Sequence, residues 1–211
     1  MGDEHAAIAL PGSASDKPAR ARGGPIDYVR ERPAWLTCNT AHTADLDSAT
    51  FEAAHALLDA AFDGAFSEYD WDHTLGGLHA LAREGSELVG HASVVQRRLL
   101  HAGRTLRAGF VEGVGVRANR RGRGYASALL DAVERVLCGA YDAGALSSTD
   151  AAVQFYARRG WQRWEGPTST LSPAGIIPTK DDDGAVYVLR LAVPLDIAGE
   201  LTCDRRDGNV W

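Results

Sequence analysis

The sequence predicts a mixed α/β fold in which helices flank one sheet. Three observations support this class: an alternating strand meander between Gly77 and Val116, amphipathic helical segments on both sides of it, and a strand, helix and strand-pair order after it. The chain has 211 residues, 45% of them hydrophobic and 24% charged, which is enough apolar material for one substantial core. We therefore expect one domain over residues 33–211.

The first 32 residues form a distinct compositional segment. They are rich in Ala, Gly, Pro, Ser and charged residues and show neither helical nor strand periodicity. Such a segment buries too little apolar surface to offset the entropy lost on ordering. Residues 1–32 are therefore predicted to be a flexible N-terminal tail.

The first elements of the domain are a strand and two helices. A short apolar run predicts a strand over Ala34–Asn39, and residues 45–62 predict an acid-capped helix. Apolar residues recur at helical spacing in that helix: Phe51, Ala54, Leu57, Leu58, Ala61 and Phe62. A second short helix is expected over Tyr69–Leu75. The following stretch, with EGS and AG turns, predicts three antiparallel strands up to Val116.

The second half of the domain alternates between helix and strand. A helix ending at Gly139 is predicted by one apolar face: Leu129, Leu130, Val133, Val136 and Leu137. A strand over residues 144–149 follows, and then a helix over residues 150–161 with Asp150 as its N-cap. Strands over Trp161–Leu171 and Ala185–Val193 lead into a C-terminal tail that ends in DGNVW.

Composition excludes several classes of protein. With 22 basic and 28 acidic residues the net charge is −6, so a nucleic-acid partner is not expected, whereas a cationic partner fits. The three cysteines form no CxxC pair, which argues against a disulfide framework and a zinc site. Because no run approaches 18 apolar residues, we expect no membrane association and a cytoplasmic location.

The stretch RRGRGYA concentrates three arginines and two glycines between a predicted strand and a predicted helix. On its own it is most often a solvated basic loop. Glycines before a helix also let main-chain N–H groups approach an anion, with the helix dipole adding positive potential. The stretch matches neither the P-loop nor a GxGxxG fingerprint.

The pattern Arg121-x-x-Gly124-x-Ala126 after FVEGVGV resembles the acetyl-CoA signature of the Gcn5-related N-acetyltransferases (GNAT superfamily). The resemblance implies the GNAT fold, with a mostly antiparallel sheet that splays at a cofactor cleft. It also implies acetyl-CoA as co-substrate and no metal. The implied cofactor-binding residues are Val114, Gly115, Val116, Arg121, Gly122, Arg123, Gly124, Tyr125 and Ala126.

Further stretches narrow the resemblance, among them HTADLD, DWDHTLGGLHAL, VVQRRLL, SALLDAVE, GALSS, GPTS and DDDG. Together with the terminal tryptophan they are similar to the aminoglycoside 2′-N-acetyltransferases of mycobacteria, from His42 to Trp211. This family implies a small-molecule aminoglycoside substrate, antibiotic resistance and a homodimer.

Three residues are candidates for the chemistry of acetyl transfer, which needs a neutral amine, a stabilised oxyanion and a proton for the thiolate. The resemblance gives Glu112 as a water-mediated base, Tyr156 as the acid and the α-carboxylate of Trp211 as a substrate contact. Each has a simpler interpretation: an ion pair with an arginine, a core tyrosine and a frayed chain end, respectively. The oxyanion is expected to meet a main-chain N–H near Val114.

The implied substrate-binding residues are Asp70, Glu112, Ser147, Asp182, Asn209 and Trp211. Where the mycobacterial enzymes carry aspartates, this chain has Ala65 and Asn209. The loss of two carboxylates favours a less cationic aminoglycoside such as kasugamycin. Two alternatives stay open: transfer to another amine, either a metabolite or a protein N-terminus, and an acyl-CoA sensor without turnover.

The remaining histidines and tryptophans carry no recognised catalytic pattern. His73, His79 and His91 lie in helix or strand patterns without a partner motif and are interpreted as structural. Trp161 and Trp164 alternate along a strand, which predicts core and cleft-wall positions.

Overall fold

A computed structural model of the chain describes residues 36–148 and 152–211. The predicted tail of residues 1–32 and the predicted N-cap Asp150 lie outside this described part. The α-helices are α1 (Ser48–Ala61), α2 (Glu68–His73), α3 (Tyr125–Ala140) and α4 (Val153–Ala157). The strands are β1 (Leu36–His42), β2 (Leu78–Glu84), β3 (Glu87–His101), β4 (Arg104–Val116), β5 (Ala143–Ser147), β6 (Gln162–Arg163), β7 (Thr168–Ser172), β8 (Gly175–Pro178), β9 (Val186–Arg190) and β10 (Leu201–Cys203).

The strands form one mixed sheet in the order β6-β9-β5-β4-β3-β10-β7-β8, and β2 and β1 extend it beside β3. Among the described strands, β4 with β5 and β7 with β10 are parallel, and the other pairs are antiparallel. Strand β3 has 15 residues, so its first part pairs with β2 while its last three residues pair with β10. The predicted mixed, mostly antiparallel sheet is confirmed.

The predicted meander corresponds to β2, β3 and β4, which two-residue turns connect at Gly85-Ser86 and Ala102-Gly103. Such short connections are typical of β-hairpins with alternating flanking strands. The local pattern was sufficient here because each strand pairs with its neighbour in sequence.

Helices cover both faces of the meander. Ala80 and Ala82 of β2 belong to the apolar core beneath α3, while Leu81 between them belongs to the core with α1 and α2. Successive strand residues point to opposite faces, which explains this division. Asp47 caps α1 by accepting a hydrogen bond from the Thr50 N–H at 2.6 Å. The predicted apolar face of this helix was wrong at Phe62, which follows the last helical residue and is 43% exposed.

A charged cluster joins α4 to α3. The Arg159 guanidinium donates to Asp131 at 2.6 Å and to both carboxylate oxygens of Glu134 at 2.8 and 2.6 Å. The Trp161 indole donates to Glu134 at 2.9 Å. Because Arg159 and Glu134 are largely buried, these charge-assisted bonds hold α4, and Tyr156 on it, against α3.

The predicted strand over Trp161–Leu171 was wrong as a single element. Strand β6 lies at one edge of the sheet, whereas β7 lies beyond β10 on the other side. Between them the buried Trp164 donates to the Gly199 carbonyl at 3.0 Å, and Gly166 packs so closely that a Cβ would lie 2.0 Å from that carbonyl oxygen. Pro167 follows and has no N–H for a ladder.

Two further strands lie outside the sequence expectation. Strand β8 follows β7 as a hairpin, and β10 lies in the segment predicted as C-terminal tail. A three-residue strand shows too few alternations to be recognised. Its position between β3 and β7 nevertheless anchors the last eight residues of the chain beside the sheet. Within the described ranges, no helix is long and apolar enough to cross a membrane.

Candidate active site

A cleft begins where β4 and β5 separate. The two strands pair over three residues only, Ala108–Phe110 with residues 143–145. Strand β5 then continues against β9, while β4 continues against β3 as far as Val116. In the described sheet, residues 111–116 of β4 therefore have no assigned strand partner on the β5 side. This separation is the splay that the GNAT resemblance implies.

A β-bulge interrupts β4 within the cleft. His91 pairs with Gly115 and Ser93 pairs with Glu112, so the register between β3 and β4 skips Gly113 and Val114. Gly113 has φ of 54°, a conformation that costs glycine little, and a Cβ there would lie 2.9 Å from Leu58. Bulges redirect the main chain. The bulge therefore gives the peptide group of Val114 a different orientation from the peptide groups of the regular β-ladder.

The N-terminus of α3 follows closely after β4. Its N-cap is Gly124, with φ of 90°, and no side chain caps the first N–H groups of the helix. Uncapped first-turn donors and the helix dipole together favour a phosphate group. Tyr125 can offer only its main-chain N–H at this end of the helix. Its side-chain hydroxyl donates to Glu84, and its ring is buried. Burial and the Glu84 contact raise the pKa of Tyr125 to about 12.

Two arginines before this turn bind carboxylates of the protein. Arg120 donates to Glu84 at 2.8 Å and lies 3.6 Å from Glu87. Arg117 donates to the Leu88 carbonyl at 2.8 Å and lies 3.5 Å from Glu87. These two side chains fix the loop between β4 and α3 against the β2–β3 hairpin.

The side chain of Arg121 also forms hydrogen bonds within the protein. It donates to the carbonyl oxygens of Val116 at 3.3 Å and Ala61 at 3.0 Å. These partners hold the guanidinium against the end of β4 and α1, and the phosphate contact of Arg121 stays a prediction. Arg123 is exposed and forms no hydrogen bond within the described part, so its side chain is also available to a phosphate.

Replacing Gly124 with Ala is expected to weaken coenzyme A binding about tenfold. A Cβ at φ of 90° meets no atom but strains the backbone, so the turn must shift the N–H groups that follow it. Isothermal titration with coenzyme A measures the effect. Gly139→Ala is the matched control, because that exposed residue of α3 has open space and no positive φ. Equal affinities of both variants would contradict an anion site at Gly124.

Glu112 lies on β4 immediately before the bulge, and its side chain is 15% exposed. The Arg206 guanidinium donates to Glu112 Oε1. Burial raises the pKa of Glu112, while the charges of Arg206 and Arg97 oppose that increase. Oε2 accepts no hydrogen bond from the described residues and is not sealed from solvent. Arg206 thus compensates the charge of Glu112 at one oxygen, and the other oxygen has no hydrogen bond from the described residues.

The C-terminal segment is held in place by Arg97 of β3, which is 4% exposed. Its guanidinium donates to the Asp204 carboxylate at 2.8 Å, to the Asp204 carbonyl at 2.7 Å and to the Val210 carbonyl at 2.7 Å. Both Arg97 and Arg206 lie over the ring of the buried Phe110, at 4.9 and 5.3 Å. Residues 204–211 therefore form a strap beside Glu112.

Trp211 ends this strap in a buried position, 2% exposed. Its indole N–H donates to the Thr179 hydroxyl at 2.9 Å, and its main-chain N–H donates to Asn209 Oδ1 at 3.2 Å. The interpretation of a frayed end is therefore wrong. Within the described part of the chain, no basic side chain forms an ion pair with the main-chain carboxyl group of Trp211.

Tyr156 on α4 is 6% exposed and packs against Trp161 and Tyr187. Burial and the charge of Glu134 raise its pKa to about 12. Among the described residues none forms a hydrogen bond with its hydroxyl. The phenol is therefore neutral at physiological pH and has its proton available. These contacts are compatible with both the acid and the core interpretation.

Asp70 lies on α2, where its carboxylate accepts from the Ser67 N–H at 2.9 Å and completes a capping box. Its charge also contributes to the raised pKa of Glu112. On the same helix, His73 Nε2 lies 2.8 Å from the Asp207 carbonyl oxygen, so α2 contacts the strap directly.

The other proposed substrate contacts lie on separate elements. Ser147 ends β5 on the splayed side, and its side chain is half-buried. Asp182 lies in the turn before β9, where burial and the neighbouring aspartates raise its pKa. The main-chain oxygen of Asn209 accepts from Arg206 at 2.9 Å. The strap thus brings Asn209 and Trp211 to the side of β4 that carries Glu112.

Arg206 and Arg97 are site residues that the sequence analysis missed. Ninety-four positions separate Arg206 from Glu112, so no local pattern relates them. One signal was available: the run DRRDGNVW places two adjacent arginines shortly before a terminal residue expected in the cleft.

Comparisons with known proteins agree with this geometry. A family model described as an acetyltransferase (GNAT) domain matches residues 42–164. An aminoglycoside 2′-N-acetyltransferase of Mycolicibacterium fortuitum is 50% identical over 179 residues, covering 83% of this chain and 92% of the relative.

Solved structures resemble the fold at low sequence identity. Escherichia coli ElaA has a TM-score of 0.53 at 15% identity and covers 74% of this chain and 99% of its own. An acyl-CoA N-acyltransferase from Pseudomonas aeruginosa has a TM-score of 0.52 at 16% identity, with coverages of 73% and 99%. These likenesses support the architecture and carry no information about substrate.

Proposed function

Because this chain belongs to the aminoglycoside 2′-N-acetyltransferases of the GNAT superfamily, we propose that it transfers the acetyl group of acetyl-CoA to the 2′-amine of an aminoglycoside. Acyltransferase activity follows from the family. The identity of the acceptor rests on the name of the relative from M. fortuitum and on the arrangement of carboxylates around the cleft. Acetylation at that position confers antibiotic resistance in this proposal.

The observation that carries the proposal is the position of Glu112. It stands between the bulge of β4 and the strap, with one carboxylate oxygen held by Arg206 and the other without a hydrogen bond from the described residues. A carboxylate with a raised pKa at this place can take a proton from an ammonium group, directly or through one water. The amine then becomes the nucleophile that attacks a thioester lying along β4.

We assign the other groups needed for transfer to the same cleft. The Val114 N–H, at the bulge, would stabilise the oxyanion of the tetrahedral intermediate. When that intermediate collapses, the C–S bond breaks and the sulfur leaves as a thiolate. The neutral Tyr156 phenol would donate its proton to that sulfur, because its raised pKa keeps it protonated at pH 7.

The charge around the cleft favours a less cationic acceptor. Asp70, Glu112 and the terminal carboxylate offer negative charge, but Arg206 already compensates Glu112. Ala65 and Asn209 supply no charge where the mycobacterial family carries aspartates. We propose that kasugamycin, with fewer ammonium groups, is accepted better than the 4,6-linked aminoglycosides.

An acceptor panel tests substrate class and preference together. We expect kasugamycin to show at least about tenfold higher kcat/KM than gentamicin, since each desolvated ion pair contributes on the order of 1–2 kcal/mol. The double variant Ala65→Asp and Asn209→Asp should narrow that difference by raising turnover of gentamicin. Asp at position 209 can still accept from the Trp211 N–H, so the strap is kept. Release of free coenzyme A thiol measures both rates.

Each alternative gives a different result in that panel. Transfer to spermidine at the rate of the best aminoglycoside would indicate a general amine acetyltransferase and contradict the proposed substrate. Binding of acetyl-CoA without release of thiol on any acceptor would indicate a sensor. Equal turnover of kasugamycin and gentamicin would contradict the preference but keep the substrate class.

A further inference from the structure

A chain of hydrogen bonds inside the protein ends at the β4 bulge. The Thr43 hydroxyl lies 2.8 Å from His79 Nε2, His79 Nδ1 lies 2.8 Å from His91 Nε2, and His91 Nδ1 lies 2.8 Å from the Gly113 carbonyl oxygen. Both histidines are completely buried. Trp71 of α2 packs near both rings, at 6.5 and 6.3 Å. The chain therefore links β2, β3 and the bulge beneath α2.

The chain has only one consistent arrangement of protons when both rings are neutral. A carbonyl oxygen can only accept, so His91 Nδ1 carries a proton and its Nε2 accepts. His79 Nδ1 must then be the donor to His91, so His79 Nε2 accepts from the Thr43 hydroxyl, which lies closer to it than to the Gly77 carbonyl oxygen at 3.3 Å. Burial lowers the pKa of His79 to about 4 and that of His91 to about 3, so both rings are neutral at physiological pH. The tautomer of each histidine is thus set by the next group.

The hydrogen bond at Gly113 also determines the direction of a neighbouring N–H. The Gly113 carbonyl and the Val114 N–H belong to one planar peptide, which is trans, and the two groups point in opposite directions. A carbonyl held toward His91 therefore directs the Val114 N–H away from it. The side chain of Val114 packs toward the core under α3, on the other face from the histidines.

We propose that His91, oriented by His79, is a positioning residue for acetyl transfer: it fixes the Gly113–Val114 peptide so that the Val114 N–H faces the thioester. The inference rests on the proposed function, because it assigns that N–H to the oxyanion. Main-chain N–H donors are effective there only when their direction is preorganised. The bulge alone cannot fix the direction of the Val114 N–H, since Gly113 and Val114 are both skipped in the pairing of β4 with β3.

Three variants test the role. In His91→Leu the donor to Gly113 is lost, and kcat should fall about tenfold to a hundredfold, less than the loss of a whole oxyanion donor. The KM for acetyl-CoA should stay within about twofold. In His91→Asn the amide can still donate to the Gly113 carbonyl, so most of kcat should return. His101→Asn is the matched control, because that buried β3 histidine bonds to Glu200 and Asp196 away from the cleft.

A second readout needs no acceptor and covers a variant that folds poorly. Imidazole ¹⁵N spectra of the wild type should show protonated Nδ1 and unprotonated Nε2 for both histidines. The Val114 amide resonance should differ between complexes with acetyl-CoA and with coenzyme A, and His91→Leu should remove that difference. A wild-type His91 protonated at Nε2 would overturn the inference. So would a folded His91→Leu protein with wild-type kcat.

These results separate the inference from the proposed function. If no aminoglycoside is acetylated but the Val114 resonance still depends on the thioester and on His91, the proposed acceptor is wrong and the positioning role stands. If aminoglycosides are acetylated and His91→Leu changes neither kcat nor the Val114 resonance, the acceptor stands and the positioning role is wrong.

Discussion

Replacing Glu112 with Gln is expected to lower kcat/KM for the acceptor amine by about a hundredfold at pH 7. Gln has nearly the same shape and its carbonyl oxygen can still accept from Arg206, so the change removes the base and its negative charge but keeps this contact. The loss should shrink as pH rises, because the free-amine fraction of the substrate grows about tenfold per pH unit below the amine pKa. Initial rates of thiol release between pH 6 and 10 measure this dependence.

Glu165→Gln is the matched control for that prediction, since Glu165 is exposed and lies outside the cleft. The affinity of Glu112→Gln for coenzyme A should equal that of the wild type, because the proposed phosphate contacts lie at α3. A constant ratio of the two rates from pH 6 to 10 would show that Glu112 binds or orients the substrate and does not remove its proton.

The sequence predicted those parts of the fold in which neighbours in the chain are neighbours in space. The β2–β4 meander and α3 follow from periodicity and turn residues alone. The acidic cap of α1, which the structure assigns to Asp47, and the uncapped glycine before Tyr125 are equally local. The resemblance to the GNAT superfamily then related Glu112 to the α3 turn, which periodicity could not do.

The remainder depended on contacts between distant positions. Arg206 meets Glu112 only because β10 inserts beside β3 and brings the strap back across the sheet. No alternation in three residues predicts β10. The same holds for His79 and His91, which were interpreted as structural because neither has a recognisable partner in sequence. Their meeting requires the antiparallel register of β2 and β3.

The ion pair between Arg206 and Glu112 does not block the site. Arg206 engages Oε1, and Oε2 accepts no hydrogen bond within the described residues. A carboxylate buried without a counterion would be protonated at neutral pH, and would then be unable to act as a base. The guanidinium therefore favours the ionised form of Glu112 and leaves Oε2 for the incoming ammonium group. Because Arg206 belongs to the strap, the strap influences the pKa of Glu112 and therefore the pH dependence of the reaction.

Replacing Arg206 with Ala is expected to make activity depend more strongly on pH. The charge of Arg206 opposes the effect of burial on Glu112. Without this guanidinium, burial raises the pKa of Glu112 further. A base must be deprotonated, so kcat/KM should fall by about tenfold or more near pH 6.5 and recover toward the wild-type value near pH 9. The sign follows because a raised carboxyl pKa extends the protonated, inactive form to higher pH.

Arg206→Lys keeps a positive charge beside Oε1 and should retain most of the wild-type pH profile. Arg205→Ala is the matched control. The side chain of Arg205 is exposed, and of these two adjacent arginines it is Arg206 that contacts Glu112. If Arg206→Ala lowered the rate by the same factor at pH 6.5 and pH 9, Arg206 would only hold the strap in place through Asn209. A profile shifted toward higher pH, restored by lysine, requires instead that its charge act on the carboxylate that takes the proton.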